Sequence, residues 1–303
     1  MRKSFKIGCG AILLFVIAFW IFVAVCARNS AGRVGVDEDV SRSALLANPP
    51  AGLKEPITLK IVTFNIQALW VVGFNRPARM RALGARLTEL DPDIVGFQEA
   101  FVDENRQLLI DSLAGSRLKY FQYYTSRMVG SGLLIASAYP IKEVFFHQYS
   151  VSNEWYRLWE GDWWAGKGVA LARIELPSGN GYIDFYDTHA QASYGGSRYV
   201  PVRKQQMAEL AEFVKRTHVG RAAAFLAGDM NSGPGREDFE MAVSGANLMR
   251  VMNVETHIDH IFAVKDAAYR FEVKNSLELH EYQGVRLSDH NGYITTVQVS
   301  PGS

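Results

Sequence analysis

Several short runs in this chain, each rich in β-branched or aromatic residues, end in side chains that bind metal ions or phosphate. Residues 59–64 lead into Asn65, residues 93–97 into Gln98-Glu99, and residues 222–227 into Gly228-Asp229-Met230-Asn231. Residues 182–186 lead into Asp187-Thr188-His189, and a polar loop leads into Ser288-Asp289-His290. Runs of this kind bounded by Gly, Asp and Asn read as buried strands. The polar groups then stand at strand ends, where a sheet can aim them into one cleft. Carboxylates, amides and imidazoles gathered in this way suit a hard, oxygen-liganded cation and a phosphate ester. Each piece alone reads equally well as a turn, because Gly and Asn accept positive φ and Asp caps neighbouring amides. Five unrelated turns with the same chemistry is the poorer explanation of the set.

With these motifs, and with Ile258-Asp259-His260-Ile261-Phe262 ahead of the final Ser-Asp-His, the chain resembles the endonuclease/exonuclease/phosphatase superfamily with the deoxyribonuclease-I-like fold. The resemblance covers about residues 59–299. It implies an α+β fold, a four-layer α/β/β/α sandwich of two packed mixed sheets, in one catalytic domain over residues 57–299. It also implies roles. Glu99 is expected as the main ligand of a divalent ion, magnesium or manganese in its place, with Asn65 beside it and Asp289 at the metal site. His290 is expected to take a proton from the attacking water, paired with Asp259, since imidazole titrates near neutrality. Asp229 and Asn231 would orient the water and bind phosphate, and His189 would stabilise the transition state or assist the leaving group. His260 takes the opposite strand face from residues 257, 259 and 261, so it reads as a supporting or core residue. For His147, His218 and His280 no partner is visible nearby.

The shared site does not choose a substrate, because superfamily members act on DNA, inositol lipids or sphingomyelin. The segment Gly161-Asp162-Trp163-Trp164-Ala165-Gly166-Lys167-Gly168-Val169 is similar to the corresponding stretch of neutral sphingomyelinases, as are Gly130-Ser131-Gly132-Leu133-Leu134-Ile135 and Tyr139-Pro140-Ile141. That resemblance implies substrate binding by Asp162 and Lys167. Read from the residues alone, the two could be a surface ion pair worth ~1 kcal/mol or less. The aromatics Trp155, Tyr156, Trp159, Trp163 and Trp164 suit either a core or a membrane-facing rim. The expected activity is hydrolysis of sphingomyelin to ceramide and phosphocholine. The alternatives are an exported nuclease and a catalytically silent binding module.

The N-terminus carries separate information. Residues 7–27 hold no charge and follow Arg2, Lys3 and Lys6. At ~1.5 Å per residue such a helix reaches across a hydrocarbon core ~30 Å thick. A cleaved signal peptide has a shorter apolar region of ~7 to 15 residues, and lipidation at Cys26 fits less well because Val25 precedes it. The expectation is a single transmembrane helix, a cytoplasmic N-terminus and an extracytoplasmic catalytic domain, with residues 28–56 as a linker. Both cysteines, Cys9 and Cys26, lie in the apolar run, so the exported part has no disulfide. Of 32 basic residues three precede the run, leaving 29 against 31 acidic ones. This balance, close to minus two, argues against a nucleic-acid partner; the expected partners are a lipid substrate and the bilayer, with no protein partner evident. Apolar spacing predicts helices over residues 76–90 and 201–217.

Overall fold

The computed structural model describes residues 2–30, 39–126, 129–157, 159–220 and 222–302, with side chains of the first helix described from 10 to 25. In chain order the helices are α1 (Arg2–Ser30), α2 (Ala44–Ala47), α3 (Arg76–Leu90), α4 (Asp103–Ser112), α5 (Val200–Thr217) and α6 (Glu237–Gly245). The strands are β1 (Ile57–Asn65), β2 (Ile94–Gln98), β3 (Tyr120–Tyr123), β4 (Leu134–Ser137), β5 (Ile141–Gln148), β6 (Gly168–Glu175) and β7 (Tyr182–His189). They continue with β8 (Ala223–Asp229), β9 (Leu248–Arg250), β10 (Asp259–Val264), β11 (Tyr269–Leu279), β12 (Glu281–Tyr282), β13 (Val285–Arg286) and β14 (Gly292–Pro301).

Two six-stranded sheets carry the fold, in the orders β11-β14-β1-β2-β4-β3 and β5-β6-β7-β8-β10-β9. Each has one parallel pair at its centre, β1 with β2 and β7 with β8, and antiparallel partners outside. Ile61, Ile94, Phe185, Phe225 and Val297 fill the space between the sheets. Helix α5 packs Met207, Leu210 and Val214 on the outer face of one sheet, and α3 packs Met80, Leu83 and Leu87 on the outer face of the other. With both faces covered, every residue of β8 is buried, as expected for a central strand read as a continuous apolar run. The expected four-layer sandwich is therefore present, and α3 and α5 fall where the spacing put them.

At the N-terminus the structure describes only part of the expected span, and it shows the expected linker packed where it is described. Residues 7–27 lie within α1, but among the described residues no helix is long and apolar enough to cross a membrane. Residues 7–9 and 26–27 of the expected span lie outside the described side chains, and with them Cys9 and Cys26. The expected linker over residues 28–56 is also not a loose tether where it is described, and residues 31–38 lie outside the described residues. Ser43 caps α2 and is buried, its hydroxyl donating to Glu143 Oε2 at 2.6 Å. Arg173 Nη1 donates to Ser43 Oγ at 2.6 Å and to Glu143 Oε2 at 2.7 Å, and Arg173 Nε meets Asp184 Oδ1 at 3.1 Å. The amide of Leu45 donates to Glu143 Oε1 at 3.1 Å, and the amides of Lys54 and Glu55 donate to Asn180 Oδ1 at 2.9 Å. Buried ions need such partners, and the segment supplies them.

The attachment is testable. Ser43→Ala nearly keeps the volume but leaves Glu143 and Arg173 each short of a buried hydrogen bond, so urea unfolding should show a loss of ~1–3 kcal/mol, with faster amide exchange confined to residues 44–55. Unchanged exchange in that segment would mean that the strap is held by something else.

Candidate active site

Both sheets deliver side chains to one edge of the sandwich. In the first sheet β1 ends at Asn65, β2 runs into Glu99, and His290 stands just ahead of β14. In the second, β7 ends at His189, β8 ends at Asp229, and β10 begins at Asp259 directly opposite Asp229. The backbone turns sharply at these ends: Glu99, Asn231 and Gln67 have φ of 57°, 49° and 46°, a left-handed conformation that non-glycine residues adopt at local cost. Gly228 is obligatory for a different reason. A Cβ there would lie 2.1 Å from the Thr188 carbonyl oxygen, so no side chain fits where β8 approaches β7.

Asn65 is fully buried, and its Nδ2 donates to Glu99 Oε1 and to Asp229 Oδ2, both at 3.1 Å. Its Oδ1 accepts from the Gln67 amide at 3.1 Å. It therefore holds two carboxylates apart as a shared donor. His290 Nδ1 lies 2.9 Å from Asp259 Oδ2, and its Nε2 lies 3.9 Å from Asp229 Oδ2. Asp229, Asp259 and His290 offer ligand atoms that all lie within 4.8 Å of one another. The amide of Asn231 donates to Asp229 Oδ1 at 2.9 Å, and its Nδ2 donates to the Ala190 carbonyl at 3.1 Å.

Asp162 and Lys167 form no surface pair. Both are buried, and Lys167 Nζ lies 2.8 Å from Asp162 Oδ1, 2.9 Å from His189 Nε2 and 2.8 Å from the Ala190 carbonyl. An ammonium has three protons and no acceptor, so all three are used within the protein. Lys167 therefore meets His189 directly, with no proton left for a further acceptor. Because Lys167 only donates, His189 Nε2 accepts, and the proton of the neutral ring sits on Nδ1. Burial, and then the charges of Lys167 and His290, push the His189 pKa well below its usual value. His189 Nε2 lies 3.4 Å from Asp229 Oδ2 and 4.0 Å from Glu99 Oε1, and with a neutral ring these contacts are not salt bridges.

The carboxylates are crowded. Burial raises Glu99 to about 7 against the pull of Lys167 and Asn65. Burial and the charge of Asp229 raise Asp259 to about 7. Burial lowers His290, but the Asp259 hydrogen bond and the charges of Asp229 and Asp259 outweigh it and lift the ring to about 10. Asp259 Oδ1 is buried with no hydrogen-bond partner. A hard divalent cation fits this set of oxygen donors and supplies the missing positive charge. Glu99 and Asn65 would hold it, and Asp229, Asp259 and His290 offer further donor atoms near one another. Asp289, expected at the metal, is placed elsewhere: it is exposed, and its Oδ2 accepts from Gln67 Nε2 at 2.6 Å.

The Endonuclease/Exonuclease/phosphatase family profile matches residues 62–290. The chain belongs to this family. Sphingomyelin phosphodiesterase 2 of Mus musculus is 33% identical to it over 189 residues, 60% of this chain and 44% of that protein. An inositol phosphosphingolipids phospholipase C of Schizosaccharomyces pombe is 32% identical over 178 residues, 58% of this chain and 42% of that protein. The chain thus spans under half the length of these curated relatives. Among solved structures, a mutant beta toxin of Staphylococcus aureus with bound magnesium ions has the same fold, with a TM-score of 0.61, 19% identity, and coverage of 80% of this chain and 99% of that one.

Within this family framework the structure adds a residue that the motifs do not contain. Arg79 is fully buried in α3, with Nε donating to the Phe74 carbonyl at 2.8 Å, Nη1 to those of Ile66 at 3.0 Å and Leu287 at 3.1 Å, and Nη2 to that of Gln67 at 2.9 Å. It ties the loop after Asn65 to the loop before His290. The available signal was its place one helical turn before Leu83 on the buried stripe. His260 behaves as a supporting residue, with Nδ1 2.9 Å from Thr256 Oγ1 and Nε2 2.9 Å from the Ser232 carbonyl. His147 and His218 do have partners, Glu209 at 3.1 Å and Asp184 at 3.2 Å, brought from distant parts of the chain.

Because Glu99 titrates at about 7 in the cation-free site, a proton competes with the metal below that pH. Magnesium affinity measured by calorimetry should therefore weaken as pH falls from 8 to 6, by about tenfold per pH unit at the acid end. The same affinity at both pH values would show that Glu99 is not a ligand.

Proposed function

We propose that this chain is a membrane-bound, metal-dependent phosphodiesterase, a sphingomyelinase-like phospholipase C that hydrolyses sphingomyelin to ceramide and phosphocholine. The observation that carries the lipid reading is an apolar rim on the loops that flank the catalytic cluster. Val71, Val72 and Phe74, on the loop after Asn65, are 81%, 57% and 49% exposed; Trp155 and Trp159, ahead of Asp162, are 65% and 74% exposed. Large apolar side chains standing in water around a polar site mark a surface that is covered in use, and aromatic rings settle at the headgroup level of a bilayer. The near-neutral charge of the chain gives no support to a polyanionic substrate, and the names of the relatives agree with a lipid one. The uncharged run over residues 7–27 behind Arg2, Lys3 and Lys6 supports an anchor with the catalytic domain outside the cytoplasm.

In the proposed reaction a water oxygen bonds to phosphorus as the bond from phosphorus to the ceramide oxygen breaks. With a bound cation offsetting the carboxylates that raise its ring, His290, held by Asp259, would be free to take the water's proton, Asn231 and Asp229 would orient that water, and the ceramide oxygen would take up a proton as it leaves. A divalent cation at Glu99 and Asn65 supplies charge neutralisation for the phosphoryl oxygens. His189, polarised by Lys167, faces the same space from the second sheet.

Full-length protein in mixed micelles should release phosphocholine from sphingomyelin, stop in excess chelator, and lose most turnover on Glu99→Gln without unfolding. Efficient cleavage of DNA with no phosphocholine release would replace this reading by the nuclease one, whose substrate binding would weaken steeply with salt. Within the site, His290→Ala should lower turnover by ~10²- to 10⁴-fold, whereas His260→Gln should lower it by less than about tenfold. Equal losses would mean that the base has been assigned to the wrong ring.

A further inference from the structure

Resting on the lipid reading, we infer that the side-chain carbonyl of Gln67 selects a sphingolipid over a glycerophospholipid, by accepting a hydrogen bond from the amide N–H or the C3 hydroxyl of the ceramide backbone. Gln67 lies two residues past Asn65, on the loop that bears the apolar rim. Its backbone is fixed on both sides. The Gln67 amide donates to Asn65 Oδ1 at 3.1 Å, its carbonyl accepts from Arg79 Nη2 at 2.9 Å, and its φ of 46° belongs to the left-handed region. The side chain is fixed as well. Nε2 donates to Asp289 Oδ2 at 2.6 Å, and because a carboxylate only accepts, the nitrogen must face Asp289 and the oxygen must face elsewhere. That oxygen, Oε1, is buried and has no hydrogen-bond partner among the described residues.

An amide oxygen carries two lone pairs, and a buried one left unpaired in a native protein calls for an explanation. A rigid acceptor that the protein does not use itself is suited to a donor that arrives with the substrate. Its position agrees. Gln67 is 9% exposed, and Asp289, which holds its amide group, stands exposed, so that group lies one side chain below the surface. Three residues further on, Trp70 Nε1 is also buried without a partner among the described residues.

The order of groups along this loop matches their order along the lipid. Asn65, whose Nδ2 meets Glu99 and Asp229, marks the place of the phosphate, and the exposed Val71 and Val72 mark that of the hydrocarbon chains. Gln67 falls between them. In sphingomyelin the groups between phosphate and hydrocarbon include an amide N–H and a hydroxyl, and both can donate. In a phosphatidylcholine they are two esters, which only accept, so Gln67 Oε1 would stay unpaired against another lone pair. A site that hydrogen-bonds a substrate N–H or O–H rejects the analogue lacking it far more strongly than an apolar pocket rejects a missing methylene.

The test uses full-length protein in mixed micelles with magnesium, and reads kcat/KM for headgroup release. The substrates are sphingomyelin, phosphatidylcholine with matched chains, and sphingomyelin methylated on the amide nitrogen or on the C3 oxygen. Unsubstituted protein should prefer sphingomyelin to phosphatidylcholine by about 10²-fold, and methylation at the donor that Gln67 reads should cost about tenfold or more. Gln67→Met, which keeps the length of the side chain and removes the acceptor, should narrow the preference to within about fivefold and make it insensitive to methylation. Equal kcat/KM for the two lipids, or full activity on both methylated substrates, would overturn the proposal without any variant. So would a loss by the same factor on both lipids in Gln67→Met, since Gln67 would then only support its loop. Ceramide phosphoethanolamine separates headgroup from backbone: a Gln67→Met effect confined to the ratio of this lipid to sphingomyelin would put the donor on the headgroup and overturn the assignment. Hydrolysis of sphingomyelin and phosphatidylcholine without discrimination removes the Gln67 assignment alone, whereas hydrolysis of neither removes the sphingomyelin reading with it.

Discussion

Three carboxylates, those of Glu99, Asp229 and Asp259, are held close together where water cannot screen them, and most of the architecture serves that crowding. Two unit charges at 4 Å interact by ~4 kcal/mol at an effective dielectric of ~20, so the cluster is costly wherever it is not compensated. The compensation comes from every direction. Asn65 donates to two of the carboxylates at once, His290 donates to Asp259, and Lys167 lies close enough to oppose the rise of Glu99. Even so, Glu99 and Asp259 both remain raised to about 7. The protein alone therefore leaves a deficit of positive charge at the junction of its two sheets, and that deficit gives the site its appetite for a divalent cation.

Such a cluster can persist only if its supports cannot relax. Arg79 closes one side by sending its guanidinium into four backbone carbonyls, so the loops bearing Asn65 and His290 move together. Gly228 closes the other, because β8 presses against Thr188 too closely for any side chain. Lys167 uses every proton it has on Asp162, His189 and the Ala190 carbonyl. Fixed donors of this kind need no rearrangement as charge develops on a phosphoryl group, which is the property that makes preorganised sites effective.

The strand ends and the two long helices were legible in the sequence because their signals are local. An apolar run followed by Asp or Glu, and Met80, Leu83 and Leu87 at helical spacing, each identify themselves within a few residues. What escaped reading depends on partners far along the chain. Ser43 is a cap in a polar stretch until Glu143 and Arg173 reach it, and Arg79 looks like the polar face of a helix until the Leu287 carbonyl arrives beneath it. Asp162 and Lys167 were legible as a pair but not as a buried one, since nothing within their own segment announces that His189 will stand beside them. Asp289 shows the opposite limit. Its neighbour His290 joins the cluster, while the loop turns Asp289 outward to Gln67.

The apolar rim and the polar cluster place opposite demands on the same edge of the molecule. A raised Glu99 needs low dielectric around it, and a rim of Val71, Val72, Trp155 and Trp159 left in water does little to provide it. Pressed against lipid, the same side chains would exclude water from the mouth and strengthen every electrostatic contact inside it. On the proposed reading, then, membrane contact does more than bring substrate near. It completes the environment that the buried carboxylates have already been built for, and it does so only when the mouth faces the bilayer squarely.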